Sequence, residues 1–376
     1  MPGESQNDSF DYAPHALRLD GREWIIVIAI VLLFALLAPR LWNRAERFEP
    51  PADYRMPYAL SDDYWLYRRH LEKAADDGRS VFVIGDSVIW GEYVTPHGTL
   101  SHFLNEQPGH THRFVNAGVN GLFPLALEGL IRDFGQPLKG RKVIVHANLL
   151  WMTSPEADLS AEKEQKFNHE PLVPQFSVPI PCYRAKTDRR LSHLANRKVS
   201  LFSWSKHLQI SYFDPTGVPA WTLEKGNDRR NPLAQITRKI PEEPDHDPDR
   251  GETSPRHRPW SEGGRGSQNF AWVPPGESLQ RAAFQRLVRL LQSRGNEVLV
   301  VIGPLNEHMI ADENRPPYQN LKREMVRWFD EQKISHLSPP LLPGDLYGDA
   351  SHPLTAGYQR LAGELAGTPE FQAWSK

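Results

Sequence analysis

At 376 residues the chain is long enough for one large domain or two small ones, each with a substantial core. Lysine plus arginine (44) nearly balances aspartate plus glutamate (46), a formal net charge of −2, so no basic field points to nucleic acid as a partner. A single cysteine, Cys182, excludes an intrachain disulfide framework and a cysteine-based zinc site, while 33 prolines and 26 glycines predict long irregular connections.

In chain order, residues 1–22 read as a polar N-terminal tail. A transmembrane anchor over 23–42 follows, carried by "WIIVIAIVLLFALLAPRLW" from Trp24 to Trp42, which has no charge before Arg40. Nineteen residues at 1.5 Å each give roughly 28 Å, about the thickness of a bilayer core, and a tryptophan at each end suits the two interfaces. The basic stretch ahead of the run is weak and no A-x-A site follows it, so an uncleaved anchor is expected rather than a signal peptide. Arginines stand on both sides (Arg18 and Arg22 before, Arg40, Arg44 and Arg47 after), so charge does not set the orientation. Residues 43–60, with the proline-broken "EPPADYRMP", read as a linker.

From residue 61 to 376 a repeating order is expected. "DDYWLYRRHLEKAADDG" is a helix ending at Gly78, followed by the strand "SVFVIG". The helix "GTLSHFLNEQ" leads to the strand "RFVNAG", and "PLALEGLIRDFG" leads to "KVIVHAN". Residues 153–276 break the pattern. This stretch holds "PEEPDHDPDRGETSPRHRP" and "EGGRGSQ" and reads as a long irregular insertion, with "KVSLFSW" and "LQISYF" as short strands. Regular order returns with "SLQRAAFQRLVRLLQSRG", whose Leu279, Ala283, Phe284, Leu287, Leu290 and Leu291 fall at helical spacing, and with the buried strand "EVLVVIG". The helix "YQNLKREMVRWFDEQK", a fifth strand "ISHLSP" and the helix "PLTAGYQRLAGELAG" close the chain. Five strands alternating with helices predict an α/β, three-layer α/β/α domain on a five-stranded parallel sheet. Ligands in such sheets bind beyond the carboxyl ends of the strands, so the residues after each strand are the ones to read for chemistry.

After the first strand stands Gly85-Asp86-Ser87. Ser87 fits an exposed nucleophile at a strand-to-helix junction, and equally an ordinary helix cap. After the second comes "NAGVNG", where Gly118 lets its backbone N–H approach an oxyanion or simply turns the chain. After the third, the Asn148 carboxamide is an oxyanion donor or a cap. The last connection, "GDASHPLTAG", sets Asp349 three residues before His352, a spacing that lets the carboxylate orient one imidazole nitrogen while the other faces outward. A capping aspartate beside a surface histidine has the same spacing. The co-occurrence of all four after different strands favours the catalytic reading.

The set "VIGDSVIWGEYV", "FVNAGVNG", "HAN" and "DASHP" resembles the SGNH hydrolases, the GDSL-like lipase/acylhydrolase superfamily, over about residues 79–150 and 280–370. The resemblance implies a flavodoxin-like sheet with Ser87 as nucleophile and backbone donor. It implies Gly118 and Asn148 as further oxyanion donors, and His352 as the base oriented by Asp349. The third block departs from the usual Gly-x-Asn-Asp, reading His146-Ala147-Asn148-Leu149. An anchor ahead of such a domain is similar to the arrangement in membrane-anchored envelope-polysaccharide acetyl esterases and O-acyltransferases. From it follow the expectations of an acylated carbohydrate or small ester as substrate, an extracytoplasmic (periplasmic) catalytic domain and no cofactor or metal. A membrane acyltransferase is an expected partner, and a catalytically silent module that binds polysaccharide is the alternative. Trp90 and Trp151, near two of the loops, are expected either to offer aromatic faces to sugar rings or to pack in the core.

Overall fold

The structure, a computed structural model, describes residues 19–109, 111–213, 258–263 and 266–376. Most of the polar tail expected over 1–22, and the "PEEPDHDPDRGETSPRH" part of the insertion, lie outside the described residues. The first described element is the helix α1 (Gly21–Ala45), which takes in the apolar run with a mean hydropathy of 2.6. Among the described residues it is the one helix long and apolar enough to cross a membrane.

A second unit begins at Glu46 and runs to the C terminus. Its sheet contains β1 (Ser80–Gly85), β2 (Arg113–Gly118), β3 (Lys142–Ala147), β4 (Glu297–Ile302) and β5 (Ser335–Leu337), all parallel and in the order β2-β1-β3-β4-β5. That is the 2-1-3-4-5 order of a doubly wound, flavodoxin-like sheet, whose binding crevice opens where β1 meets β3. The register sets Gly85 beside Gly118 and Ile84 beside Val145, so β1, β2 and β3 end at nearly one level.

Helices cover both faces, as the alternation along the strands requires. Phe82, Ile84, Val143, Val145, Val298 and Val300 join a core with α2 (Tyr64–Ala75) and, further along the chain, with four helices described below. Val81, Val83, Ile144, Leu299 and Val301 face the other way, against α3 (Ser87–Trp90) and α4 (Leu100–Glu106). The first face is completed by α5 (Pro124–Phe134); the long chain to β4 adds α6 (Thr187–Lys198), α7 (Ser200–Ser211) and α8 (Leu279–Ser293), and α9 (Arg315–Glu331) precedes β5. The second face is completed by α10 (Thr355–Ala366) and α11 (Pro369–Ser375). α8 shows how the local sequence decides. Ala283, Phe284, Leu287, Val288 and Leu291 are buried at helical spacing, each large side chain contributing roughly 1.5–3 kcal/mol. Its N terminus is closed by Ser278, whose Oγ accepts from the Arg281 N–H, and by buried Asp158, which accepts from the N–H groups of Leu279 and Gln280.

Two expectations need correction. Residues 46–60 are not a free linker: Phe48, Tyr54, Met56 and Leu60 are buried in the first core, with Phe48 edge-on to Tyr54 and Tyr54 against His70. Prolines forbid a helix there but not burial of the apolar side chains between them. Nor is the insertion irregular over its first half. Leu159, Leu172, Val173, Cys182 and Tyr183 are buried, and "KVSLFSW", from the end of α6 into α7, and "LQISYF", at the end of α7, are helical rather than in strands. Helical spacing puts His207, Ile210 and Ser211 on one face of α7, and a polar cluster there overrides the β-propensity of the sequence. Within it His207 Nδ1 lies 2.7 Å from Asp63 Oδ2 and Nε2 lies 2.7 Å from Glu46 Oε1, while Ser211 donates to Asp63 and Tyr212 to Glu46. Burial works against a charge on this imidazole, but the carboxylates of Asp63 and Glu46 outweigh it and push its pKa up to about 10. The one cysteine is buried in the same core, its thiol donating to the Leu159 carbonyl at 3.4 Å, with its pKa pushed up by burial.

Candidate active site

β1 runs straight into a four-residue helix, α3, capped by Asp86, whose side chain accepts from the Val88 N–H, and ended by Gly91 at φ +93°. Ser87 is therefore at the first helical position, where the backbone N–H has no intrahelical acceptor. Its hydroxyl Oγ lies 2.8 Å from His352 Nε2. His352 Nδ1 is 2.8 Å from both carboxylate oxygens of Asp349. A carboxylate accepts only, so Nδ1 carries the proton and Nε2 is left to accept from the Ser87 hydroxyl. Ser87, Asp349 and His352, separated by 265 residues at the extremes, are brought together as the sequence predicts.

The loop bearing the pair is held from several sides. Asp349 Oδ1 also accepts from the N–H groups of Ser351 and His352, and Asn306 donates to the Asp349 carbonyl. Gly348 N–H donates to the His352 carbonyl, closing the loop on itself. Burial alone would raise the Asp349 pKa, but the bond and charge of His352, with the two backbone donors, bring it down to about 2. Burial likewise pulls the His352 pKa down, and its bond to Asp349 outweighs that, so the pKa ends above the ordinary 6.5.

The expected oxyanion donors fare unequally. Gly118 is not positioned as expected: its N–H is donated to Asn116 Oδ1 at 3.0 Å. What its lack of a side chain provides is room, since a Cβ there would sit 2.4 Å from the Trp90 nitrogen. Asn148 does reach the site, where β3 ends, but its Nδ2 donates to Asp86 Oδ2 at 2.9 Å and its Oδ1 caps the next turn by accepting from the Leu150 N–H. The second amide hydrogen has only a long, 3.5 Å approach to Ser351 Oγ.

Trp90 and Trp151 are pillars, not sugar platforms. Trp90 is 5% exposed, donates from Nε1 to the Met56 carbonyl and has the Arg55 guanidinium 4.0 Å above its ring. Trp151 is 1% exposed, packs on Phe284 and donates from Nε1 to Asp86. With both faces covered, neither ring is open to a ligand.

Three features were missed in the sequence. Asp86, given no role of its own there, is a buried hub: its carboxylate takes hydrogen bonds from Val88 N–H, His146 Nδ1, Asn148 Nδ2 and Trp151 Nε1. Burial would raise its pKa, and His146 and Asn148 overcome this to hold it at about 2. His146, which stands where the resemblance expects glycine, is thus a partner of the turn that carries Ser87. Tyr93, a non-glycine residue at φ +67°, donates to Asp349 Oδ2 at 3.0 Å and stands edge-on to His352. Backbone strain of this kind persists where surrounding structure enforces it, often at functional sites. Finally, a cavity of about 370 Å³ opens beside Asp349 between Tyr93, Arg258, Trp260, Gln268 and Met309. The buried Trp260 indole N–H has no acceptor among the described residues. Nothing in local sequence marks the cavity, because Arg258 and Trp260 come from the far end of the insertion.

No protein-family model matches the chain, and a search of curated proteins finds no match.

Proposed function

We propose that the chain is a membrane-anchored serine esterase or O-acyltransferase of the SGNH type, acting on acyl esters of a carbohydrate through an acyl-enzyme at Ser87. The observation that carries this reading is the unbroken relay from Ser87 Oγ through His352 to Asp349, 2.8 Å at each step. In the proposed reaction the Ser87 oxygen attacks the ester carbonyl while His352 Nε2 takes the hydroxyl proton. Asp349 stabilises the imidazolium without becoming protonated. The tetrahedral oxyanion is met by the Ser87 N–H at the start of α3 and by the loosely held second hydrogen of the Asn148 amide. The ester C–O bond then breaks, His352 returns the proton to the leaving alkoxide, and Ser87 keeps the acyl group. Water or a sugar hydroxyl, deprotonated by His352, attacks the acyl-enzyme and restores the serine.

The cavity beside Asp349 suits the carbohydrate part of such a substrate, with Trp260 in the role first expected of Trp90 and Trp151 and Arg258 and Gln268 as polar contacts. In this reading α1 is the anchor and the catalytic unit lies outside the cytoplasm, where an envelope polysaccharide and a membrane acyltransferase partner would be met. A second reading, a catalytically silent module that binds polysaccharide, draws support from the Gly118 N–H and the Asn148 amide, both already committed to other acceptors.

Fluorophosphonate labelling of the full-length protein in detergent separates the two. The esterase reading expects stoichiometric labelling of wild type and none of Ser87→Ala. A folded wild type that stays unlabelled leaves the silent module.

A further inference from the structure

A second cluster of chemistry-bearing side chains lies apart from Ser87 and has no part in the relay. Asp53, His97 and His102 come from three places: the buried 46–60 segment, the turn Pro96–Gly98 and the first half of α4. Each is fixed by its surroundings. The chain at Asp53 is held by the Tyr54 N–H bonded to the Pro51 carbonyl and by Arg113 donating to the Ala52 carbonyl. Thr99 caps α4, its Oγ1 accepting from the His102 N–H, and the turn at His97 is closed by the Gly98 N–H bonded to the Thr95 carbonyl.

Asp53 Oδ1 is 3.2 Å from His102 Nδ1, and Oδ2 is 3.4 Å from His97 Nδ1; ligand atoms of the three residues all lie within 4.8 Å of one another. The His97 separation is longer than an ordinary N–H···O bond, and that of His102 stands at its upper limit of about 3.2 Å. The other histidine–carboxylate pairs of this molecule range from 2.7 Å for His207 with Asp63, through 3.2 Å for His169 with Asp62 and His193 with Glu170, to 3.8 Å for His336 with Asp330, and the Asp53 separations lie within that range. They do fit two ligands of one ion: bonds of about 2.0–2.1 Å at tetrahedral angles put neighbouring ligand atoms roughly 3.3 Å apart. The other nitrogen of His102, Nε2, faces Glu106 Oε1 at 3.4 Å.

We propose that Asp53, His97 and His102 form a binding site for a divalent transition-metal ion, zinc foremost. Two imidazoles and one carboxylate select zinc over magnesium or calcium, which take oxygen ligands. His97 has a side chain 75% exposed, so the fourth position faces solvent and takes a water. The ion ties the 46–60 segment to the start of α4, two parts of the chain that the sequence separates by about forty residues, α2, β1 and α3 among them.

The test uses the full-length protein in detergent, purified without a histidine tag, stripped with a chelator and titrated with zinc alone against a chromophoric competitor. One ion per chain is expected, with a dissociation constant of about micromolar or tighter, and a rise in melting temperature on loading. Asp53→Asn, His97→Ala and His102→Ala should each weaken binding at least about tenfold. Cobalt loading of wild type should give the visible absorption of a tetrahedral site, lost in His97→Ala. His97 is exposed, so that variant keeps the fold and decides the matter if His102→Ala does not fold. Zinc binding by His97→Ala with wild-type affinity and stoichiometry, or wild type that binds no zinc below about 100 μM, would overturn the proposal.

Discussion

His352 and His207 are gripped alike on one side and differently on the other. Each presents Nδ1 to an aspartate, at 2.8 Å from Asp349 and 2.7 Å from Asp63. On Nε2, His352 meets the hydroxyl of Ser87 and His207 meets a second carboxylate, Glu46. The difference decides what the ring can do. Two carboxylates in a fully buried setting hold His207 as a cation up to about pH 10, so it serves as a charged rivet between the 46–60 segment, α2 and α7. One carboxylate and a neutral hydroxyl leave His352 with a pKa raised above 6.5, and its proton is free to come and go. The histidine–carboxylate motif alone therefore does not tell the two rings apart; the partner on the far nitrogen does.

Breaking each arrangement should separate chemistry from stability. Ser87→Ala or His352→Gln is expected to lower acyl transfer or fluorophosphonate labelling by about 10³-fold or more, with an unchanged denaturation midpoint for Ser87→Ala. His207→Leu should do the reverse, leaving Glu46 and Asp63 buried without their cation at a cost of about 3–5 kcal/mol, read from urea unfolding, while the folded fraction labels at the wild-type rate. Loss of labelling in folded His207→Leu would erase the distinction drawn here.

The pH dependences sharpen the same contrast. Labelling should rise with pH as His352 gives up its proton, with a midpoint above 6.5. For stability the sign is opposite: a histidine whose folded pKa is raised stabilises below its unfolded value and loses that contribution as pH climbs through the folded one. His207 should thus give a stability that declines between about pH 6.5 and about pH 10, a slope absent from His207→Leu. Asp86 and Asp349, both held at about 2, stabilise above their ordinary carboxylate value and lose that contribution as pH falls toward about 2. The smallest effect is expected from Tyr93→Phe. Without the phenol, Asp349 keeps less of its charge compensated and holds the imidazolium more tightly, so the labelling midpoint should move up by a few tenths of a pH unit and the rate fall about 3- to 10-fold.

Much of this was legible in the sequence for a simple physical reason. Strands of a parallel sheet covered on both faces read as apolar runs, so β1 to β4 stand out, and with them Ser87 and Asn148 just beyond β1 and β3; Asp349 and His352 lie past the short edge strand β5 and stand out only by their own spacing. What was not legible is direction. Nothing in "NAGVNG" says that the Gly118 N–H turns toward Asn116, or in "HANLLW" that Trp151 points down onto Asp86 rather than out toward a ligand. The insertion misled for another reason. Helix α7 is held by a buried charge cluster whose partners, Glu46 and Asp63, are more than a hundred residues away, so no local apolar pattern announces it.

The burial of Cys182 has a practical corollary. A thiol pressed into the core, hydrogen-bonded to a carbonyl and reluctant to ionise reacts slowly with disulfide and maleimide reagents while the fold is intact. The protein thus carries its own silent reporter: modification of the wild-type chain measures how often that region opens. Against so quiet a background, one cysteine introduced on the surface, in place of Arg258 at the rim of the cavity for example, would be the sole fast-reacting handle for a fluorophore or spin label.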